Sequence, residues 1–113
     1  MSKQFEDSIA WQKAKILTIA VYRILESLKD HSFKNQLQRA AISIMNNVAE
    51  GFERQTQKEM KQFLYIAKGS AGEARSMIAF GMSLNYFSKN EGEKLYEQAT
   101  KIAKILSGFI KKL

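Results

Sequence analysis

Along residues 60 to 85 the chain repeats in strict alternation of four and three: Met60, Leu64, Ala67, Ala71, Ala74, Ile78, Gly81, Asn85. All are apolar or small apart from the final Asn. A 3.5-residue period keeps one stripe of an α-helix turned toward a neighbouring helix, whereas a strand would need alternation by two. Three other segments carry the same kind of stripe. One runs through Ala10, Ala14, Leu17, Val21, Ile24 and Leu28, from about Ser8 to Leu28. A second spans about Phe33 to Phe52, through Leu37, Ala41, Ile44 and Val48, with Phe52 one turn later. The last runs through Leu95, Ala99, Ile102, Leu106, Phe109 and Leu113. No Pro occurs among the 113 residues, so nothing of that kind breaks any of the four.

The punctuation fits four helices. Asp7 or Ser8 can cap the first, and Lys29-Asp30-His31-Ser32 reads as a connection. Thr56-Gln57-Lys58-Glu59 and Ser88-Lys89-Asn90-Glu91 are both capping-box sequences, opening the third and fourth helices. Gly51 either ends the second helix or lets another helix come close. Short connections favour antiparallel neighbours. The expected fold is all-α: an antiparallel up-down four-helix bundle, packed left-handed at about +20°. It is expected to form one domain over residues 1–113, with no linker or repeat.

A chain of this length can bury a core without disulfides or metal. It has no Cys, so a disulfide framework, a thiolate metal site and a thiol nucleophile are all excluded. No apolar run approaches the roughly 20 residues of a membrane span. Met1 to Trp11 is polar and acidic at Glu6 and Asp7, unlike a signal peptide. These features lead us to expect a cytoplasmic protein with no membrane contact.

The formal net charge is +7, which favours phosphate-rich partners. Candidate phosphate contacts are Lys94, Lys101, Lys104, Lys111 and Lys112 on the fourth helix, and Lys58, Lys61, Lys68 and Arg75 on the third. Glu91, Glu93 and Glu97 interrupt the fourth-helix set, and lysines also serve simply to keep a bundle soluble. The second helix carries a polar line, Arg39, Ser43, Asn46, Asn47, Glu50 and Arg54, placed opposite its core stripe. It reads as a solvated face with a Glu50–Arg54 ion pair, as a hydrogen-bonded interface network, or as a ligand surface. A second seam on the third helix, Ile66, Ser70, Glu73, Met77, Phe80 and Leu84, also keeps heptad spacing. It either widens the apolar arc or meets another subunit. Trp11, Ile19 and Tyr22 lie outside the stripe of the first helix.

Catalytic constellations are thin. His31 is the one histidine, paired Glu-x-x-His motifs are missing, and Gly69 and Gly72 sit inside a helical pattern rather than a phosphate loop. The expectation is a non-enzyme with no metal and no cofactor.

Three segments carry a resemblance: Trp11-Gln12-Lys13-Ala14, then Leu37 to Ile44 running into Asn47-Val48-Ala49-Glu50-Gly51-Phe52, and Phe63 to Ala67 with Gly69-Ser70 and Glu73. The chain resembles the bacterial four-helix-bundle proteins called 23S ribosomal RNA intervening-sequence proteins. The resemblance runs from Phe5 to the last helix, and Asn-Val-Ala-Glu-Gly with Arg54 is its most specific part. It implies an up-down bundle that assembles as a homopentamer, similar to the accessory proteins of diversity-generating retroelements. Nucleic-acid binding is the role usually proposed for such proteins. Met45 stands where the family often has Pro, so the second helix is expected to run straight. The functional expectation is a basic oligomeric scaffold that binds RNA or DNA through phosphates. The alternative is an adaptor that docks a partner enzyme on the polar face of the second helix.

Overall fold

The computed structural model describes residues 4–113. Met1, Ser2 and Lys3, the start of the polar amino-terminal stretch, lie outside the described residues. A 3-10 turn, Phe5–Asp7, leads into four helices: α1 (Ile9–Ile24), α2 (His31–Phe52), α3 (Gln57–Ser83) and α4 (Lys89–Lys111). They form a rod of 45 × 20 × 20 Å. Each helix packs on two others, in the cycle α1–α2–α3–α4–α1. This is the up-down four-helix bundle expected from the stripes.

Those stripes meet in one core. Leu17 and Val21, Leu37 and Ile44, Leu64 and Ile78, and Ile102 and Leu106 are all fully buried. The Ala residues at 67, 71 and 74 are equally buried, so α3 presents a slim edge to its neighbours. Thr18 is a buried polar residue, and its hydroxyl donates to the Ala14 carbonyl at 2.7 Å, leaving no orphaned group.

Each helix start is held by a side chain. Ser8 Oγ accepts from Trp11 N, Asp30 Oδ1 from Phe33 N, Thr56 Oγ1 from Glu59 N and Ser88 Oγ from Glu91 N. At Ser88 the capping box closes, because Ser88 N donates to Glu91 Oε1 at 3.1 Å. At Thr56 only half of it forms. The Glu59 carboxylate accepts from the Thr56 hydroxyl, not from the Thr56 backbone.

Three boundaries differ from the sequence reading. Helix α1 ends at Ile24, and Leu25 to Leu28 form a turn in which Leu25 is buried. Helix α2 begins at His31, two residues early, because Asp30 caps it. Asn85 does not continue the α3 stripe: it is exposed at φ 60°. Tyr86 N donates to Gly81 O at 2.9 Å and Asn85 N to Met82 O at 3.1 Å. Those two bonds are a Schellman ending, with Asn in the left-handed position that few other side chains tolerate. Helix α2 runs unbroken through Met45, as the missing Pro implies.

Gly51 belongs to the close-approach class. It lies within α2, and a Cβ there would sit 3.3 Å from Met60 O and 3.4 Å from Phe63 Cβ. Gly81 is tighter still. A Cβ would come within 2.5 Å of the Phe87 ring and 2.7 Å of the Phe33 ring. Phe33, Phe80, Tyr86 and Phe87 close this end of the rod. The Phe33–Tyr86 pair is edge-on at 5.0 Å, and Phe80 and Phe87 lie about 6 Å from Phe33.

Candidate assembly and polyanion-binding surfaces

Part of the α2 polar line, Ser43 and Asn47, is half-buried and turned toward α3. Ser43 Oγ and Ser70 Oγ share a hydrogen bond of 2.7 Å, with Ser70 buried at 9% exposure. Asn47 Nδ2 donates to Ser43 O at 2.8 Å and to Ser43 Oγ at 3.0 Å. One helical turn from Ser70, Gln36 Nε2 donates to Glu73 Oε2 at 2.7 Å. This polar track joins α2 to α3, and it explains an Asn in the middle of a helix. The Asn47 side chain satisfies a neighbouring carbonyl and fixes the hydroxyl beside it.

The rest of the line faces solvent. Arg39 and Asn46 are exposed. Glu50 pairs with Arg54 one turn on, and the Arg54 guanidinium lies over the Phe63 ring at 4.9 Å. The second seam of α3 splits in the same way. Ser70 and Glu73 serve the polar track and Met77 is half-buried, whereas Ile66 and Phe80 are 51% and 53% exposed. Leu84 is also exposed. The α2/α3 side therefore combines satisfied polar bonds with bare apolar side chains.

The candidate phosphate contacts distribute as follows. Lys94, Lys101, Lys104, Lys111 and Lys112 are all exposed, and none forms an ion pair among the described residues. At 100° per residue they fall within an arc of roughly 100° on α4. On α3, Lys58 and Lys68 are exposed while Lys61 and Arg75 are half-buried. Arg75 Nε is buried without a hydrogen-bond partner. Glu93 is paired with Lys89 at 4.0 Å, near the start of α4.

Trp11 is half-buried, with Phe5 edge-on at 5.1 Å and Lys15 Nζ over its ring at 5.6 Å. Ile19 and Tyr22 are exposed. Two further exposed residues, Ile9 and Ile16, escaped the sequence reading. Their heptad spacing on α1, outside its core stripe, was the available signal. His31 is an exposed residue of the first turn of α2. No three His, Cys, Asp or Glu residues come together as a metal site among the described residues. No described helix is long and apolar enough to cross a membrane.

At the aromatic end, Tyr86 donates its hydroxyl to Asp30 Oδ2 at 2.6 Å. That bond, with the one from Phe33 N, holds the Asp30 carboxyl below its ordinary range. The same contact raises the Tyr86 hydroxyl above its own.

No curated protein matches the chain in sequence. Among solved structures, a crystal structure from Bacteroides thetaiotaomicron VPI-5482 is similar, described as a protein of unknown function from the S23 ribosomal protein family. It shares 22% identity and a TM-score of 0.86, covering 91% of this chain and 99% of that one. At that identity the likeness establishes the bundle fold alone. The sequence model of the 23S rRNA-intervening sequence proteins matches residues 6–108, nearly the whole described chain. The protein therefore belongs to the 23S rRNA-intervening sequence protein family.

Proposed function

We propose that the protein is a non-enzymatic, homo-oligomeric scaffold that holds RNA or DNA by phosphate contacts. The observation that carries this reading is the exposed α4 lysine face, five side chains within one arc and none neutralised by an ion pair. Such a face attracts a polyanion and releases its counterions, with little preference for sequence. Assembly uses the other side of the rod. Ile66, Phe80 and Leu84 beside the α2/α3 polar track suit burial against a second copy. A closed ring of five copies multiplies the +7 of each chain and leaves the α4 faces outward. With no Cys to oxidise, the scaffold suits the cytoplasm.

Titration of a fluorescent single-stranded oligonucleotide across a salt series tests this function. Log affinity should fall linearly with log salt, at a slope near −0.7 per phosphate contact. Replacing Lys101 and Lys104 together by Ala should make that slope shallower by about one or two contacts. An absence of binding at low salt, for RNA and DNA alike, would sink the nucleic-acid reading.

A further inference from the structure

The seam between α1 and α4 differs from the other three. Ile16 and Ile19 stand 57% and 41% exposed along it. They form, with Ala20, Ile24 and Leu95, the apolar floor of an open groove. Its walls are basic. Lys13 and Arg23 rise from α1, Lys94 and Lys101 from α4, and Glu91 is the single acidic side chain beside them. A separate hollow nearer the start of α1 is lined by Ile9 and Ile105, with Lys104 and Lys112 against Asp7. At the centre of the groove lies Gln98, whose Oε1 is buried with no hydrogen-bond partner among the described residues.

We propose that this groove docks an acidic amphipathic helix belonging to a partner protein. Three features select that occupant. The first is charge. The lining is basic here, whereas the hollow on the α3/α4 side is edged by Glu93 and Glu97. An occupant with carboxylates on both flanks is complementary to the α1/α4 walls and repelled from the α3/α4 side.

The second feature is the floor. Its central part is aliphatic and holds no aromatic ring. Bases bind exposed grooves largely by stacking on aromatic faces, and isoleucine supplies none. An apolar helix stripe, by contrast, gains from covering branched aliphatic side chains that now meet water. The third feature is length. From Lys13 to Arg23 the groove follows α1 for a distance of about 15 Å at 1.5 Å per residue. That accommodates about three turns of a docked helix, with apolar anchors at i, i+3 or i+4, and i+7.

The inference rests on the scaffold reading only in taking the α1/α4 side as outward in the assembly. It does not need nucleic-acid binding. The test uses the full chain and a fluorescein-labelled synthetic helix with leucine on one face and glutamate on both flanks. Two controls accompany it: the same peptide with lysine flanks, and one with the leucines replaced by alanine. A single-stranded oligonucleotide is titrated in parallel. The leucine–glutamate peptide should bind, and neither control should.

Ile16→Ser with Ile19→Ser should weaken peptide binding at least tenfold while leaving the helical circular dichroism, the oligomer and oligonucleotide affinity unchanged. Lys101→Glu should also weaken it, and more strongly at low salt. Equal binding of the alanine peptide would overturn the proposal, because charge alone would then suffice. Unchanged peptide affinity in the double Ser variant would overturn it too. Dissociation of the oligomer by that variant would assign the groove to a second copy. Loss of oligonucleotide but not peptide binding would assign it to nucleic acid.

Discussion

Tyr86 and Asp30, 56 positions apart, are joined by a hydrogen bond of 2.6 Å between the phenol and the carboxylate. Asp30 also caps α2, so a single side chain starts one helix and ties down the connection that leads into α4. The arrangement couples the end of the rod to pH. The folded Asp30 carboxyl is held below its ordinary value, so its contribution is present above the unfolded carboxylate range. That contribution is lost as pH falls through the lowered folded value. Tyr86 acts at the other limit, since its raised folded value withdraws the contribution as pH climbs through it. Tyr86→Phe should therefore lower the melting temperature near neutrality and flatten its decline in acid. An identical acid profile for variant and parent would show that the bond does not form in solution.

Gly81→Ala should destabilise the bundle by about 1–3 kcal/mol, the usual cost of overpacking. The added methyl would drive into Phe87 and Phe33, two rings buried at the closed end. Chemical denaturation with urea measures the loss. Ala71→Leu should cost a similar amount at mid-rod, because residue 71 is fully buried.

Ser43→Ala strands the Ser70 hydroxyl inside the α2/α3 seam and should cost about 1–3 kcal/mol. Replacing both serines by Ala should cost less than the two single changes added together, because neither polar partner is then left alone. A double-mutant cycle on urea midpoints reads this coupling directly. Strict additivity would mean that the two hydroxyls do not interact.

Native mass spectrometry at micromolar concentration should show an oligomer, and a pentamer above all. Ile66→Asp with Phe80→Asp should break it into folded 12.9 kDa chains. Both side chains are about half exposed in the single chain, so helicity should survive. A parent protein that is already monomeric would remove the assembly reading.

Most of the core was legible in the sequence, because the four-three spacing and helix burial share one geometric cause. Leu25, Phe33, Ala40, Phe87, Ala103 and Ile110 lay outside the stripes. Leu17, Ile44, Leu64 and Leu106 fell where the stripes put them. Asn85 broke the pattern since periodicity alone says nothing of where the backbone turns left-handed. Gln36 was missed because its bond to Glu73 joins residues 37 apart, and only packing brings them together. Ser43 and Asn47 were recognised as a feature but set on the wrong side. Helical spacing gives a residue's angle on its own helix, while the flank on which the neighbour sits is a property of the bundle. The α1/α4 groove was hidden for a similar reason. Its walls come from two helices that lie at opposite ends of the sequence.

Repetition in the α3 stripe has a consequence for the axial position of that helix. Sliding α3 along α2 by seven residues, about 10 Å, would again set a core-type stripe against the core. Such a shift would bring Met77 or Phe63 to the place of Ser70. Neither side chain can stand in for the Ser70 hydroxyl, so the hydrogen bond between the two helices would be lost. The Ser43–Ser70 bond thus acts as a detent. It acts with the Gln36–Glu73 bond and the close approaches at Gly51 and Gly81, which the same shift would break, to select one alignment.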